Sequence, residues 1–215
     1  MKVKIAPSLL SCDFTRMGDE LRNMEEIGAD WAHLDVMDGH FVTNLTFGLP
    51  VIAALRPVSS IVFDVHLMIE EPEKYIERYI DAGADVLTVH LEACRDVASA
   101  LRAIRARGCK AGLSIKPGTP AEAVFPYLSE ADMILVMTVE PGYGGQKLIP
   151  ECLDKIGVIK KHAAAMGREI LVEVDGGVNA SNAAAVREAG ADVLVAGSAV
   201  FGSPDRAAAV CALRG

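Results

Sequence analysis

Ala82-Gly83-Ala84-Asp85-Val86-Leu87 returns at Ala189-Gly190-Ala191-Asp192-Val193-Leu194, and Ile27-Gly28-Ala29-Asp30-Trp31 is a third variant. Each copy reads as the same joint. Glycine takes the left-handed conformation that ends a helix, and the chain enters a strand two or three residues later. The joints sit in an alternation of short β-branched runs with helix-like segments. Strands are expected at residues 3–9, 31–36, 61–67, 85–91, 111–115, 133–139, 170–174 and 193–196. Within 72–82, Tyr75, Ile76, Tyr79 and Ile80 share one helix face, and Leu153, Ile156, Ile159, Ala163 and Met166 make a similar stripe over 151–166. Pro72 suits a first helical turn, Asn179 or Ser181 can cap a helix running through Arg187, and a short last helix is expected at 204–213. Eight strands in 215 residues give about 27 residues per unit, close to the ~30 of a strand–helix–strand crossover. This predicts an α/β chain folded over residues 1–215 as a single-domain (β/α)8 TIM barrel, with a doubly wound open sheet as the alternative.

Composition narrows the function classes. Hydrophobic residues make up 51% of the chain and charged residues 23%, which excludes a disordered or collagen-like protein. Much of the apolar share is alanine and valine, with only 5% aromatics, which suits tightly packed parallel strands. A net charge of −8 without a basic stripe argues against nucleic acid or a membrane surface as partner. It does not argue against a small anion, which backbone donors can bind. No apolar run approaches the ~20 residues that span a bilayer, and the N-terminus has no signal-peptide pattern. The five cysteines are scattered without a C-x-x-C pair, so reduced thiols and a cytoplasmic location are expected.

In a barrel of this type the active site lies at the C-terminal ends of the strands. The second expected strand ends in His33-Leu34-Asp35-Val36-Met37, the third in Asp64-Val65-His66-Leu67-Met68 and the seventh in Glu173-Val174-Asp175. Side chains alternate across a strand, so His33, Asp35 and Met37 face one side, as do Asp64, His66 and Met68. A lone strand-end histidine is ordinarily a satisfied core residue, and a lone aspartate a helix cap. Two imidazoles and two carboxylates together are harder to explain as packing, because buried unpaired carboxylates are costly. One divalent metal ion held by His33, Asp35, His66 and Asp175 would neutralise them. Zinc, iron(II), manganese and cobalt all suit this mixed set. Glu173 and Asp64, one layer deeper, could orient the histidines or pair with a lysine such as Lys4. His90 and Glu92 also end a strand and read as ordinary structural polar residues. Lys116 has nothing beside it that would prepare a Schiff-base lysine.

Glycine-rich turns form the second constellation. Gly142-Tyr143-Gly144-Gly145 follows the sixth strand, Gly176-Gly177 the seventh and Gly197-Ser198 the eighth. Any one could be a tight turn; three at neighbouring strand ends predict a phosphate cradle of backbone N–H groups. No P-loop lysine motif is present, and no G-x-G-x-x-G opens a helix.

These residues carry a resemblance. Ala6-Pro7-Ser8-Leu9-Leu10-Ser11, the run His33 to Val42, Asp64-Val65-His66-Leu67-Met68, the run Met137 to Gln146 and Val174-Asp175-Gly176-Gly177 resemble the ribulose-phosphate 3-epimerase family, in its order, from Lys4 to about Phe201. The resemblance implies a phosphate-binding (β/α)8 barrel that interconverts D-ribulose 5-phosphate and D-xylulose 5-phosphate. It implies metal ligation by His33, Asp35, His66 and Asp175, with Asp35 and Asp175 as the acid/base pair. Substrate contacts fall on Ser8, on His66 and Asp175, on the methionines Met37, Met68 and Met137, and on Gly142, Tyr143, Gly144, Gly145, Gly176, Gly177, Gly197 and Ser198. A ketose phosphate is the small-molecule partner, and a homo-oligomer is implied.

The chemistry agrees independently. Epimerisation at C3 removes a proton beside the C2 ketone and returns one to the opposite face, so two carboxylates should flank the sugar plane. A cation on the enediolate oxygens would stabilise the developing charge. Thr43, Leu49 and Tyr143 depart from the family pattern, where proline, proline and phenylalanine are usual. These departures leave open a 3-epimerase of a longer ketose phosphate, such as D-allulose 6-phosphate. The related barrel synthases and decarboxylases use Asp-x-Lys where this chain has Asp64-Val65-His66, which speaks against them. A phosphosugar-binding protein without catalysis would not need both Asp35 and Asp175.

Overall fold

The computed structural model describes residues 2–215. Its strands are β1 (Lys4–Pro7), β2 (Trp31–Met37), β3 (Val62–Met68), β4 (Val86–His90), β5 (Lys110–Ile115), β6 (Met133–Met137), β7 (Leu171–Asp175) and β8 (Val193–Ala196). All neighbours are parallel, in the order β1-β8-β7-β6-β5-β4-β3-β2. An isolated parallel bridge between Ser8 and His33 draws the two ends together, so the sheet is a nearly closed barrel. The expected TIM-barrel fold is the observed one. Among the described residues, no helix is long and apolar enough to cross a membrane.

Outward-facing strand residues such as Leu34, Phe63, Val65, Leu87, Leu113, Val136, Val172 and Leu194 join helix residues in one large buried core. The helices are α1 (Met17–Glu26), α2 (Leu49–Leu55), α3 (Ile76–Asp81), α4 (Val97–Ala106), α5 (Asp154–Ala165), α6 (Ala183–Glu188), α7 (Ser198–Phe201) and α8 (Arg206–Arg214). Helix α4 buries Val97, Ala100, Leu101 and Ile104, one stripe at helical spacing. The opposite strand parity fills the barrel. Ala6, Trp31, Val86, Met133, Val193 and Val195, from five strands, cluster at its lower end. Above them lie the buried polar groups of His33, Asp64, His66, Thr88, Ser114 and Glu173. This interior is tight: a Cβ on Gly112 would overlap the Thr88 side chain.

The repeated Ala-Gly-Ala-Asp joint has two working parts. Gly28, Gly83 and Gly190 have φ of 78°, 115° and 104°, the left-handed backbone that ends a helix. The aspartates do something the sequence reading did not assign. Asp30, Asp85 and Asp192 each accept from the N–H of the preceding strand, at Ile5 (2.8 Å), Phe63 (2.8 Å) and Val172 (2.7 Å). Asp132 repeats the contact with Ala111 at 2.9 Å, so every even strand staples its odd predecessor at the barrel floor.

Three local expectations are corrected. The run over residues 72–82 is split, with a 3-10 turn at Pro72–Lys74 and α3 after it, because Tyr75 leaves helical backbone at φ −122°. Neither Asn179 nor Ser181 begins α6. Asn179 Oδ1 accepts from the Ser181 N–H, Asn182 Oδ1 accepts from the Asn179 N–H, and the helix starts only after Asn182. The connection from β5 to β6 contains no α-helix. It is a 3-10 segment, Ala121–Tyr127, with Pro126 inside it, and a proline cannot supply the N–H that an α-helical turn needs.

Candidate active site

Strands β2, β3 and β7 deliver the four predicted ligands to one point. His33 Nε2, Asp35, His66 Nδ1 and Asp175 each offer an atom within 4.8 Å of all the others. His33 Nε2 and His66 Nδ1 both lie 3.2 Å from Asp35 Oδ1, and they lie 3.8 and 3.7 Å from Asp175 Oδ2. Both histidines are fully buried, Asp35 is almost so, and only Asp175 keeps partial exposure. Ser8 Oγ donates to Asp35 Oδ2 at 2.5 Å and fixes that carboxylate from the barrel seam.

The charges in this cluster are unbalanced in a telling way. Burial alone would raise the Asp35 pKa, but the His33 and His66 imidazoles outweigh it and hold the carboxyl well below its usual range. Asp175 is pushed up to about 6, first by burial and then by the Asp35 carboxylate. Two carboxyls of one type are thus driven apart, one toward the ionised form and one toward the protonated form. Burial lowers the His33 pKa, yet the Asp35 and Asp64 carboxylates override it and raise it well above the ordinary value.

The same residues pass a test for a divalent cation. His33 Nε2 is buried without a hydrogen-bond partner and faces Asp35 and Asp175. Its other nitrogen is satisfied, with Nδ1 2.6 Å from Asp64 Oδ2. An imidazole nitrogen without a partner, converging with two carboxylates and a second imidazole, makes a donor set that suits a dipositive ion. Asp64 and Glu173 also approach His33, but through its Nδ1. They therefore sit on the side of His33 away from Asp35 and Asp175, and of the two sequence alternatives, orienting a histidine or pairing with a lysine, the contacts are with the histidine. Lys4 instead lies 5.6 Å over the Trp31 ring. Burial and then the Asp64 carboxylate raise the Glu173 pKa well above normal.

The cluster forms the floor of a cavity of about 630 Å³, within the ordinary range for small-molecule sites. Ser8, Asp35, Met37, Met68, Met137, Gly142, Tyr143, Gly144, Gly145, Asp175, Gly176, Gly177, Gly197 and Ser198 all line it. His33 and His66 do not; they stand behind Asp35. Met37 and Met68 pack with Val42, and Met137 packs with Leu135 and Val139, giving the walls an apolar, proton-free surface. Tyr143 stands at the rim, 63% exposed.

Two of the three glycine turns, at Gly176-Gly177 and Gly197, lie where a side chain would not fit. Gly177 has φ +71°, and a Cβ there would overlap the backbone of the 146–148 segment. A Cβ on Gly197 would overlap Ser11. Several residues that hold these loops were not singled out from sequence. Thr138 Oγ1 donates to the Gly176 carbonyl at 2.6 Å, and Asn179 and Asn182 donate to that of Gly177. Gln146 Nε2 donates to the Glu140 and Tyr143 carbonyls and ties the longest loop to itself. Among the described residues, Lys147 is the only basic residue lining the cavity.

His90 and Glu92 are the clearest departure from the sequence reading. His90 is fully buried and its Nε2 lies 2.8 Å from His66 Nε2, so it touches one of the four predicted ligands without lining the cavity. Burial is the main reason its pKa is lowered to about 4. Lys116 has a plain structural position, with its Nζ 4.0 Å from the Phe41 ring centroid.

Known proteins resemble this chain over nearly its whole length. Residues 4–201 match the ribulose-phosphate 3 epimerase family. A protein of Bacillus subtilis (strain 168) named ribulose-phosphate 3-epimerase is 49% identical over 214 residues, covering 99% of each chain. One of the same name from Rhodobacter capsulatus is 52% identical over 200 residues, covering 93% of this chain and 86% of its own. Among solved structures, a 3-hexulose-6-phosphate synthase superposes with a TM-score of 0.71 at 24% identity, covering 100% of this chain and 98% of its own. A 3-keto-L-gulonate-6-phosphate decarboxylase from Vibrio cholerae gives 0.73 at 16%, covering 100% and 96%. These two share the fold.

Proposed function

This chain belongs to the ribulose-phosphate 3-epimerase family, and from that premise we propose that it interconverts D-ribulose 5-phosphate and D-xylulose 5-phosphate by two-base proton transfer at C3, with one divalent cation held by His33, Asp35, His66 and Asp175. The observation that carries the reading is the meeting of two carboxylates at the floor of one cavity with two imidazoles directly behind them. A 3-epimerase needs one carboxylate ionised and its partner protonated at any moment, and Asp35 and Asp175, from β2 and β7, are the two carboxyls that meet in this cavity. The ionised aspartate takes the C3 proton from one face, and the protonated one returns a proton from the other. Ser8 holds Asp35 in place by its hydrogen bond. The chemistry that a divalent cation supplies when bound there is stabilisation of the enediolate oxygens. Met37, Met68 and Met137 exclude water from the reacting carbons without offering an exchangeable proton.

The phosphate end lies among Gly142–Gly145, Gly176, Gly177, Gly197 and Ser198, where backbone N–H groups can approach an anion and Lys147 adds a positive charge. That the relatives carrying the pentulose name are about half identical over nearly the whole chain favours ribulose 5-phosphate over D-allulose 6-phosphate. The cytoplasmic setting belongs to the same reading and is supported by five free cysteines. So does assembly into a homo-oligomer, which sedimentation at assay concentrations tests.

Ribulose 5-phosphate incubated with the protein and Co2+ in heavy water should acquire deuterium at C3 as xylulose 5-phosphate appears. Absence of both label and product would overturn the reading. Faster turnover of allulose 6-phosphate than of ribulose 5-phosphate would replace the substrate.

A further inference from the structure

A third buried histidine stands in the barrel with no part in the proton transfer just described. His90 closes β4, and its ring stacks on that of His66 with centroids 5.0 Å apart and planes at 27°. The two Nε2 atoms are 2.8 Å apart. On the far side of His90, Nδ1 lies 3.3 Å from Glu92 Oε2. Glu92 is itself anchored, with Oε1 accepting from the Lys116 N–H at 2.8 Å and from the Thr119 hydroxyl at 2.5 Å. Phe41 covers the His90 ring with centroids 4.8 Å apart. The row therefore runs Glu92, His90, His66, Asp35, from the protein edge to the cation site.

The order of hydrogens along this row follows from what each atom can do. A carboxylate only accepts, so His90 Nδ1 carries the hydrogen that faces Glu92. Two nitrogens at 2.8 Å share one hydrogen. His66 can offer a lone pair to a cation at Nδ1 only if its own hydrogen sits on Nε2, so the shared hydrogen belongs to His66 and His90 Nε2 is bare. The nitrogen that His66 has left to present is Nδ1, which faces Asp35 and Asp175. His33 does the same with opposite nitrogens: Asp64 takes its Nδ1–H, and Nε2 points inward.

We propose that Glu92, acting through His90, is a positioning residue that fixes the His66 tautomer and so keeps the Nδ1 lone pair aimed at the cation site. The proposal rests on the metal site of the preceding reading. It moves no net proton; it sets on which nitrogen one hydrogen sits. It also makes a prediction that runs against ordinary conservatism. In Glu92→Gln the amide oxygen stays with the Lys116 N–H, which can only donate, so the NH2 group turns to His90 Nδ1. His90 Nδ1 must then accept, Nε2 takes the hydrogen, and His66 is left with its hydrogen on Nδ1. The isosteric variant reverses the row, whereas Glu92→Ala merely releases it.

The test combines ring-nitrogen NMR of the metal-free protein with Co2+ titration of wild type, Glu92→Gln and Glu92→Ala. In wild type, His66 Nε2 and His90 Nδ1 are expected to be protonated and His90 Nε2 bare. In Glu92→Gln the His90 assignment inverts, and Co2+ binds ~10–100-fold more weakly, the loss typical when support behind a ligand is removed. Glu92→Ala should lose less. A merely structural Glu92 gives the opposite order, because glutamine replaces its shape and alanine does not. Unchanged ring assignments in Glu92→Gln, or Co2+ binding no weaker than in Glu92→Ala, overturn the proposal. If Glu92→Gln does not fold, the wild-type rings decide: a bare His66 Nε2 or a protonated His90 Nε2 overturns it, and the expected pattern supports it. If wild type takes up no Co2+, the metal reading fails, and the ring assignments still judge the relay.

Discussion

His33 Nδ1 lies 2.6 Å from Asp64 Oδ2 with both side chains fully buried, so one nitrogen of a predicted metal ligand is committed before any cation arrives. Removing the acceptor would leave a buried N–H without a partner and free the ring to turn. Asp64→Ala should weaken Co2+ binding by ~10–100-fold. Asp64→Asn, which keeps an acceptor oxygen, should lose less. Titration of the metal-free protein measures both; wild-type affinity in Asp64→Ala would detach Asp64 from the site.

Asp175 and Asp35 occupy strands separated by β1 and β8, yet both reach the same two imidazoles. Their roles separate by isotope. Asp175→Asn should lower interconversion by ~10²–10⁴-fold, the usual worth of one acid/base group. With only Asp35 left, one epimer should still exchange its C3 proton with heavy water, returning label to the face from which hydrogen left. NMR of each sugar separately would show which epimer turns its C3–H toward Asp35. Undiminished interconversion would remove Asp175 from the chemistry.

The glycines of the cradle are not equivalent. Gly177 has φ +71° and no room for a Cβ, whereas a Cβ on Gly144 would meet only Ser11 Oγ at 3.6 Å. Gly177→Ala should cost about 1–3 kcal/mol of stability through backbone strain and raise KM as the loops separate. Gly144→Ala should stay within about 0.5 kcal/mol of wild type. Thermal unfolding and steady-state kinetics of the two variants test this; equal behaviour would mean the close approach at Gly177 does not organise the pocket.

The site was legible in sequence where it depends on one strand at a time. Alternation alone put His33 beside Asp35 and His66 beside Asp64, and glycine at a strand end is a signal in itself. What sequence does not carry is register between strands. His66 sits opposite Thr88 in the β3–β4 ladder, and only that offset, with β4 twisting past β3, brings His90 to the His66 ring. Asp30, Asp85, Asp132 and Asp192 were hidden for the same reason, since each bonds to a strand about 20 or 25 residues earlier. Pro126 was a readable warning against a helix after β5, outweighed by the regular alternation elsewhere.

Glu92 should also mark itself in acid. Burial opposes its ionisation, but hydrogen bonds from His90, the Lys116 N–H and Thr119 outweigh that and lower its pKa from 4.5 to about 2. The sign follows from linkage: a carboxyl more acidic folded than unfolded stabilises the fold above its unfolded pKa. That contribution is complete above about pH 4.5 and disappears as the pH falls through about 2. Urea unfolding of wild type and Glu92→Gln between pH 2 and 7 isolates it, because the other carboxyls titrate in both proteins. The stability of wild type relative to the variant should decline steadily below about pH 4.5. A difference that is constant with pH would mean that Glu92 is not held ionised by these donors, and the hydrogen on His90 Nδ1 would lose its anchor.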